Sequence, residues 1–190
     1  MLKKPPKWYI ILLMVVRRRL KIESPGLAFI TTTVKDWIPL FLNDEAAKIV
    51  LKQFEETVDF HEASIVGYVL MPSHLHAIIG LRNILDLTNV MHDFKSLSSR
   101  KLKHLKLMEF GDKFQCKGSF QLWRPRFDDF VIRTPEQFRI KLNYIHENPV
   151  RAGLVTIASE WKYSSAGDWT LGIEGVITIN KNSVGVEWTF

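Results

Sequence analysis

Along the chain the apolar positions change period several times, and each change marks an element. Leu27–Val34 follows the turn Ser24-Pro25-Gly26 and is rich in β-branched and aromatic residues, the composition of a strand. Asn43 stands where a helix cap belongs, with Asp44 and Glu45 in the first turn, and Ala46, Val50, Phe54 and Val58 then recur every four residues. That spacing predicts an amphipathic helix of about four turns. Ala63–Leu70 and His74–Ile79 read as two further strands, and the short turn Met71-Pro72-Ser73 between them predicts an antiparallel hairpin. Residues 84–107 carry a helical pattern, the chain is irregular around Gly111, Gly118 and Pro125, and Phe127–Ile132 is a fourth strand.

The clearest helix start comes next. Thr134 is a good N-cap, Pro135 takes the first helical position and Gln137 the third, which together make a capping box. Phe138, Leu142 and Ile145 define the buried stripe of this helix, and Pro149 predicts its end, because the residue before a proline is pushed out of the α region. The tail from Ala166 to Phe190 is rich in Gly and Val and allows a terminal hairpin; it carries no chemistry of its own. No internal repeat or low-complexity stretch interrupts the order strand, helix, strand, strand, helix, strand, helix. That order predicts an α+β fold, an antiparallel β-sheet with helices packed on it.

Composition adds a globular character, with 46% hydrophobic and 24% charged residues, enough for a real core. Lys and Arg total 26 against 20 Asp and Glu, so the net charge is +6 and the pI about 9.4. A basic surplus favours a polyanionic partner, nucleic acid or an anionic membrane surface. The single cysteine, Cys116, cannot build a disulfide framework or a Cys-type zinc site and reads as an inert thiol in a reducing, cytoplasmic setting. The apolar run Trp8–Val16 spans nine residues, well short of the roughly 20 that cross a bilayer. It is followed by Arg17-Arg18-Arg19 instead of a small-residue cleavage site, so no membrane association is expected. Residues 1–16 are read as a strand or appended extension whose role the sequence leaves open, 17–166 as the working domain, and 167–190 as the tail.

Chemistry enters through two patterns. There is no Gly-rich phosphate loop and no dinucleotide fingerprint. His61-Glu62 and His146-Glu147 fail as zinc-protease motifs, because the positions that need a second histidine hold Ile65 and Val150. His74-Leu75-His76 lies in a predicted strand, where residues two apart share a face with Cα atoms about 6.5–7 Å apart. Two imidazoles so placed can grip one divalent ion, although a His-x-His pair alone is weak support for a metal. Tyr144 and Asn148 stand four apart on the capped helix, about 40° apart around its axis and away from the Phe138-Leu142-Ile145 stripe. A phenol with a pKa near 10 needs help from a metal or base to act as a nucleophile. Together the groups describe phosphodiester chemistry: a metal on His74 and His76, Asn148 adding a neutral oxygen ligand, and Tyr144 attacking phosphorus. Imidazole ligands favour Mn²⁺ or another transition metal over Mg²⁺.

Tyr68-Val69-Leu70-Met71-Pro72-Ser73-His74-Leu75-His76 resembles the HUH segment (His, hydrophobic, His) of the small single-tyrosine transposases. The run Tyr144–Val155 resembles the nucleophile helix of the REP-associated tyrosine transposase branch. Trp161-Lys162-Tyr163-Ser164-Ser165 is similar to a further signature just downstream, and Arg19–Gly26 to the usual lead-in to the first strand. The resemblance covers roughly residues 17–166. It implies an HUH-type fold, single-stranded DNA substrates near hairpins, and a divalent metal, Mg²⁺ or Mn²⁺. It implies His74 and His76 as ligands, Asn148 as the third, and Tyr144 as the nucleophile of a covalent 5′-phosphotyrosine intermediate. Ser73 departs from the pattern, standing where the family often has asparagine.

DNA contacts are expected from the basic helix, at Lys95, Arg100, Lys101 and Lys103, and from Arg124, Arg126 and Arg151. Two rival readings use the same fold: a nucleic-acid-binding regulator that cuts nothing, and a hydrolase that uses water on the same metal. A homodimer stays open too, since in some relatives the tyrosine helix serves a neighbouring subunit's histidines.

Overall fold

The central strands are buried on both faces, and alternate residues along them enter two separate cores, which settles the layering. A computed structural model describes residues 25–103, 111–116 and 119–182. The run at 8–16, the lead-in through Ser24, the basic His104 and Lys106, the Cys116 side chain and residues 183–190 lie outside that description. Four strands form one antiparallel sheet in the order β2-β3-β1-β6, with β1 at Gly26–Thr33, β2 at Ser64–Met71, β3 at His74–Leu81 and β6 at Asp128–Ile132. The predicted hairpin is β2–β3, with Met71 paired to His74 across Pro72-Ser73. Its turn is held from outside: the Val34 N–H donates to the Ser73 carbonyl and the Phe41 N–H to the Pro72 carbonyl, both at 2.9 Å.

One sheet face carries Ala28, Ile30, Leu70, Leu75, Ala77 and Ile79, and against it pack helices α1 (Asp44–Phe60) and α2 (Leu87–Lys103). Asn43 caps α1 as predicted, its side chain accepting the Ala46 N–H at 2.9 Å. Phe54 of α1 meets Phe94 of α2 edge to face at 5.1 Å between centroids. The opposite face carries Leu27, Phe29, Val69, Met71 and Ile78, and covers itself with Phe138 and Ile145 of α3 (Pro135–Arg151). The sheet is therefore sandwiched, with two helices on one side and the tyrosine helix on the other. Gly67 makes the α3 approach close, since a Cβ there would sit 2.7 Å from Leu142 Cδ1.

Several local expectations change. Thr134 caps α3 through the Gln137 N–H, but the Gln137 side chain returns to the N–H of Arg133, one residue before the cap. Pro149 does not end α3. The helix runs through it to Arg151 and stops where Gly153 takes a left-handed φ of 68°. Proline removes only its own N–H, and the Ala152, Gly153 and Leu154 N–H groups close the last turn onto Asn148, Val150 and Pro149. The helix predicted over 84–107 begins as a 3-10 turn, Ile84–Asp86, before α2. The irregular stretch holds a small hairpin of β4 (Gln115–Cys116) and β5 (Ser119–Phe120), and its end returns to β1, with Val34 bridged to Trp123. The described part of the tail is the short helix α4 (Ala166–Leu171) followed by residues 172–182. That segment ties to the β2 edge through the Asn180 N–H, which donates to the Ile65 carbonyl. No helix among the described residues is long and apolar enough to cross a membrane.

Phe138 is the pin between α3 and the sheet, 1% exposed and 6.0 Å from the Trp169 ring. Phe138→Ala is expected to cost about 3–5 kcal/mol of stability, read as a lower urea midpoint; a loss under about 1 kcal/mol would mean that α3 docks by other means.

Candidate active site

Because side chains alternate, one cross-strand row brings Val69, His76, Thr31 and Asp128 to the α3 face, and the next brings Met71, His74 and Thr33. His74 and His76 thus stand side by side, ring centroids 4.7 Å apart and nearly perpendicular at 81°. His76 is 1% exposed, and burial pushes the pKa of both rings down, His74 to about 4 and His76 well below the usual histidine value. Both are neutral near pH 7. Their Nδ1 atoms face hydroxyls: Thr31 Oγ1 lies 2.7 Å from His76 Nδ1 and Ser73 Oγ 3.2 Å from His74 Nδ1. Their Nε2 atoms are buried and have no hydrogen-bond partner.

Such an orphaned pair is costly unless something takes the lone pairs. If each Nδ1–H donates to its hydroxyl, each Nε2 presents a lone pair, which is the tautomer that a metal-ligating histidine adopts when its other ring nitrogen is hydrogen-bonded. The donor set fits a divalent ion. No group of three acidic, histidine or cysteine side chains that could hold a metal is gathered among the described residues.

α3 supplies the rest. Tyr144 is half-buried, its ring 5.3 Å from His76 and 5.9 Å from Phe29, edge to face in both cases. Asn148 is 9% exposed one turn later; its Nδ2 donates to the Tyr144 carbonyl at 2.6 Å, which fixes the amide and leaves Oδ1 as its acceptor. The Arg151 guanidinium lies over the Tyr144 ring at 5.3 Å. The helix therefore lies over the histidines of its own chain. α3 is also anchored through His146, whose Nε2 is 3.0 Å from Ser165 Oγ, while that same hydroxyl accepts the Tyr68 N–H at 2.9 Å. The Trp161–Ser165 segment accordingly serves as scaffold: the Trp161 indole N–H and the Leu70 N–H bind it along β2.

The expected basic residues divide. Arg100, Lys101 and Lys103 are exposed on α2, across the sheet from Tyr144, with Lys101 paired to Glu56 at 2.8 Å. Lys95 is tied down, its ammonium donating to the Arg124 and Pro125 carbonyls, and burial lowers its pKa to about 8. Those two bonds fasten α2 to the 124–125 loop. Arg124 and Arg126 are exposed at the histidine end of the sheet, where the Arg124 N–H donates to the Thr33 carbonyl.

Three groups escaped the sequence. Thr31 backs His76 from a strand 45 residues away, which no local pattern signals. Trp37 sits at the rim, 45% exposed, edge to face with His74 at 5.5 Å, after Asp36 and on consecutive positive φ angles of 53° and 58°. Lys141 lies over Phe29 and Phe130. Its i, i+3, i+7 spacing with Tyr144 and Asn148 was the available clue.

Residues 30–148 match the protein family described as "Transposase IS200 like", a span that runs from β1 to Asn148 and includes both histidines and Tyr144. A Haemophilus influenzae protein named as a REP-associated tyrosine transposase is 24% identical over 140 residues, 74% of this chain and 79% of the relative. The REP-associated tyrosine transposase of Escherichia coli K12 is 32% identical over 102 residues, 53% of each chain. The solved structure of a REP-associated tyrosine transposase bound to a REP hairpin is similar with a TM-score of 0.66 at 21% identity, covering 90% of this chain and 96% of that one. That likeness is one of fold.

Thr31→Val keeps the shape of β1 and removes the partner of His76 Nδ1. Affinity for Mn²⁺ by titration calorimetry is expected to fall about 10–100-fold with the fold intact; an unchanged affinity would leave Thr31 as a sheet residue only.

Proposed function

Since the chain belongs to the IS200-like transposase family, we propose that it cuts and rejoins single-stranded DNA next to hairpins, in the cytoplasm, with Tyr144 as nucleophile. The observation that carries this reading is the meeting of two buried imidazoles with unpartnered Nε2 atoms and a tyrosine ring 5.3 Å from one of them. A divalent ion held by His74, His76 and Asn148 would withdraw charge from a phosphate oxygen and so lower the barrier to attack by an anion. Mn²⁺ suits the two nitrogens and one amide oxygen better than Mg²⁺.

The chain's own residues do the remaining work. Tyr144 Oη loses its proton and forms a bond to phosphorus in line with the 3′-oxygen, which departs and takes up a proton. The 5′-phosphate stays on the tyrosine until a 3′-hydroxyl attacks it, reversing the balance and releasing the phenol. Asn148 holds the Tyr144 turn of α3 through its amide, and the Arg151 guanidinium lies over the phenol ring. Arg151, over the Tyr144 ring, and exposed Arg126 are phosphate contacts, while Arg100, Lys101 and Lys103 offer a separate basic surface for the duplex part of a hairpin. Trp37, half-exposed against His74, is suited to stack on an unpaired base beside the scissile phosphate.

Wild-type protein with labelled hairpin-bearing single strands and Mn²⁺ is expected to give a protein-sized adduct on a denaturing gel, absent with EDTA. Tyr144→Phe should abolish it while native-gel binding persists. An adduct surviving in Tyr144→Phe would overturn the assignment; binding without any adduct across a varied hairpin panel would favour a DNA-binding descendant that no longer cuts.

A further inference from the structure

A lysine rarely stays buried unless an anion meets it. Lys141 is half-buried on α3, three residues before Tyr144 and seven before Asn148, on the helix face turned to the sheet. Its Nζ lies 4.7 Å from the centroid of the Phe29 ring and 4.9 Å from that of Phe130, between neighbouring strands β1 and β6. It forms no hydrogen bond or ion pair among the described residues. Burial lowers its pKa, with no carboxylate opposing that effect.

Two ring contacts offset part of the desolvation but supply no counter-charge. A four-carbon stem in this position has the freedom to carry the ammonium out to water, yet it folds down toward the reaction centre. Phe29 is the shared floor: His76 stacks against its ring at 5.6 Å, Tyr144 meets it edge-on at 5.9 Å, and the ammonium lies over it. Three other lysines of the described residues are engaged elsewhere. Lys95 binds the Arg124 and Pro125 carbonyls, Lys35 binds those of Lys113 and Gln115, and Lys101 pairs with Glu56 on the far side of the sheet.

We propose that Lys141 is a phosphate-binding residue of the site, its ammonium engaging a non-bridging oxygen of the phosphodiester presented to Tyr144. The ligand is the DNA backbone, read without regard to base. Charge grows on those oxygens as phosphorus is attacked, and a cation already fixed in place stabilises it without reorganising. The inference rests on Tyr144 being the nucleophile, but the phosphate contact can be measured apart from the chemistry.

Full-length K141M keeps the apolar stem and K141R keeps the charge; thermal melting verifies that both fold. In EDTA, binding of a labelled hairpin-bearing single strand is followed against NaCl. Losing one phosphate contact lowers the slope of log affinity on log salt by about 0.7, so K141M should show that drop and K141R should not. With Mn²⁺ and saturating DNA, adduct formation by K141M should fall about 100-fold, with partial recovery in K141R. An unchanged slope overturns the inference, whatever happens to the adduct. A lower slope with an unchanged adduct rate also overturns it, because the phosphate then lies away from the reacting bond. A lower slope in a chain whose wild type forms no adduct upholds the phosphate contact and removes Tyr144 as nucleophile instead.

Discussion

The register of β3 between β2 and β1 governs everything at the site. With a side-chain period of two, a slip of one residue would turn His74 and His76 toward α1 and α2 and bring Leu75 and Ala77 to the α3 face. The register is pinned where the histidines begin, at the Pro72-Ser73 turn, by backbone donors from Val34 and Phe41. The same pairing sets Thr31 opposite His76 and Thr33 opposite His74. Supporting hydroxyl, ligand nitrogen and strand geometry are therefore consequences of one alignment.

The second constraint is how α3 is seated. Phe138, Leu142 and Ile145 press it onto the sheet, Gly67 lets it come close, and His146 shares the Ser165 hydroxyl with the β2 backbone. With those contacts in place, the face bearing Lys141, Tyr144 and Asn148 turns toward the row of Phe29 and His76. Burial then does chemical work, holding both histidines neutral and depressing the lysine.

What was legible in the sequence was what local rules control. Runs rich in β-branched and aromatic residues gave the strands, the Thr134-Pro135 start gave α3, and the two short motifs pointed to His74, His76, Tyr144 and Asn148. Long-range partners were not legible: nothing near Thr31 announces a histidine 45 residues on, and nothing near Ser165 announces both Tyr68 and His146. Charge was the poorest guide. The basic run on α2 suggested an interface, yet one of its lysines fastens a loop and the others lie across the sheet from Tyr144, whereas the lysine beside the site sat in an unremarkable helix sequence. Pro149 misled because a proline in the last turn costs a helix little when the following N–H groups still find carbonyls.

The two edges of the sheet are unlike. Along β2 the outer edge is taken by Tyr163, Ser164 and Asn180, through the Leu70 N–H, a bridge at Val69 and the Ile65 carbonyl. The β6 edge has no such cover among the described residues, and Asp128 and Asp129 open it with charge. Where one edge alone is open, as among the described residues, two copies can extend the sheet by antiparallel apposition of β6 to β6 about a two-fold axis. That operation consumes the edge in both copies, so association through the sheet is self-limiting, closing as a pair and never propagating as a filament.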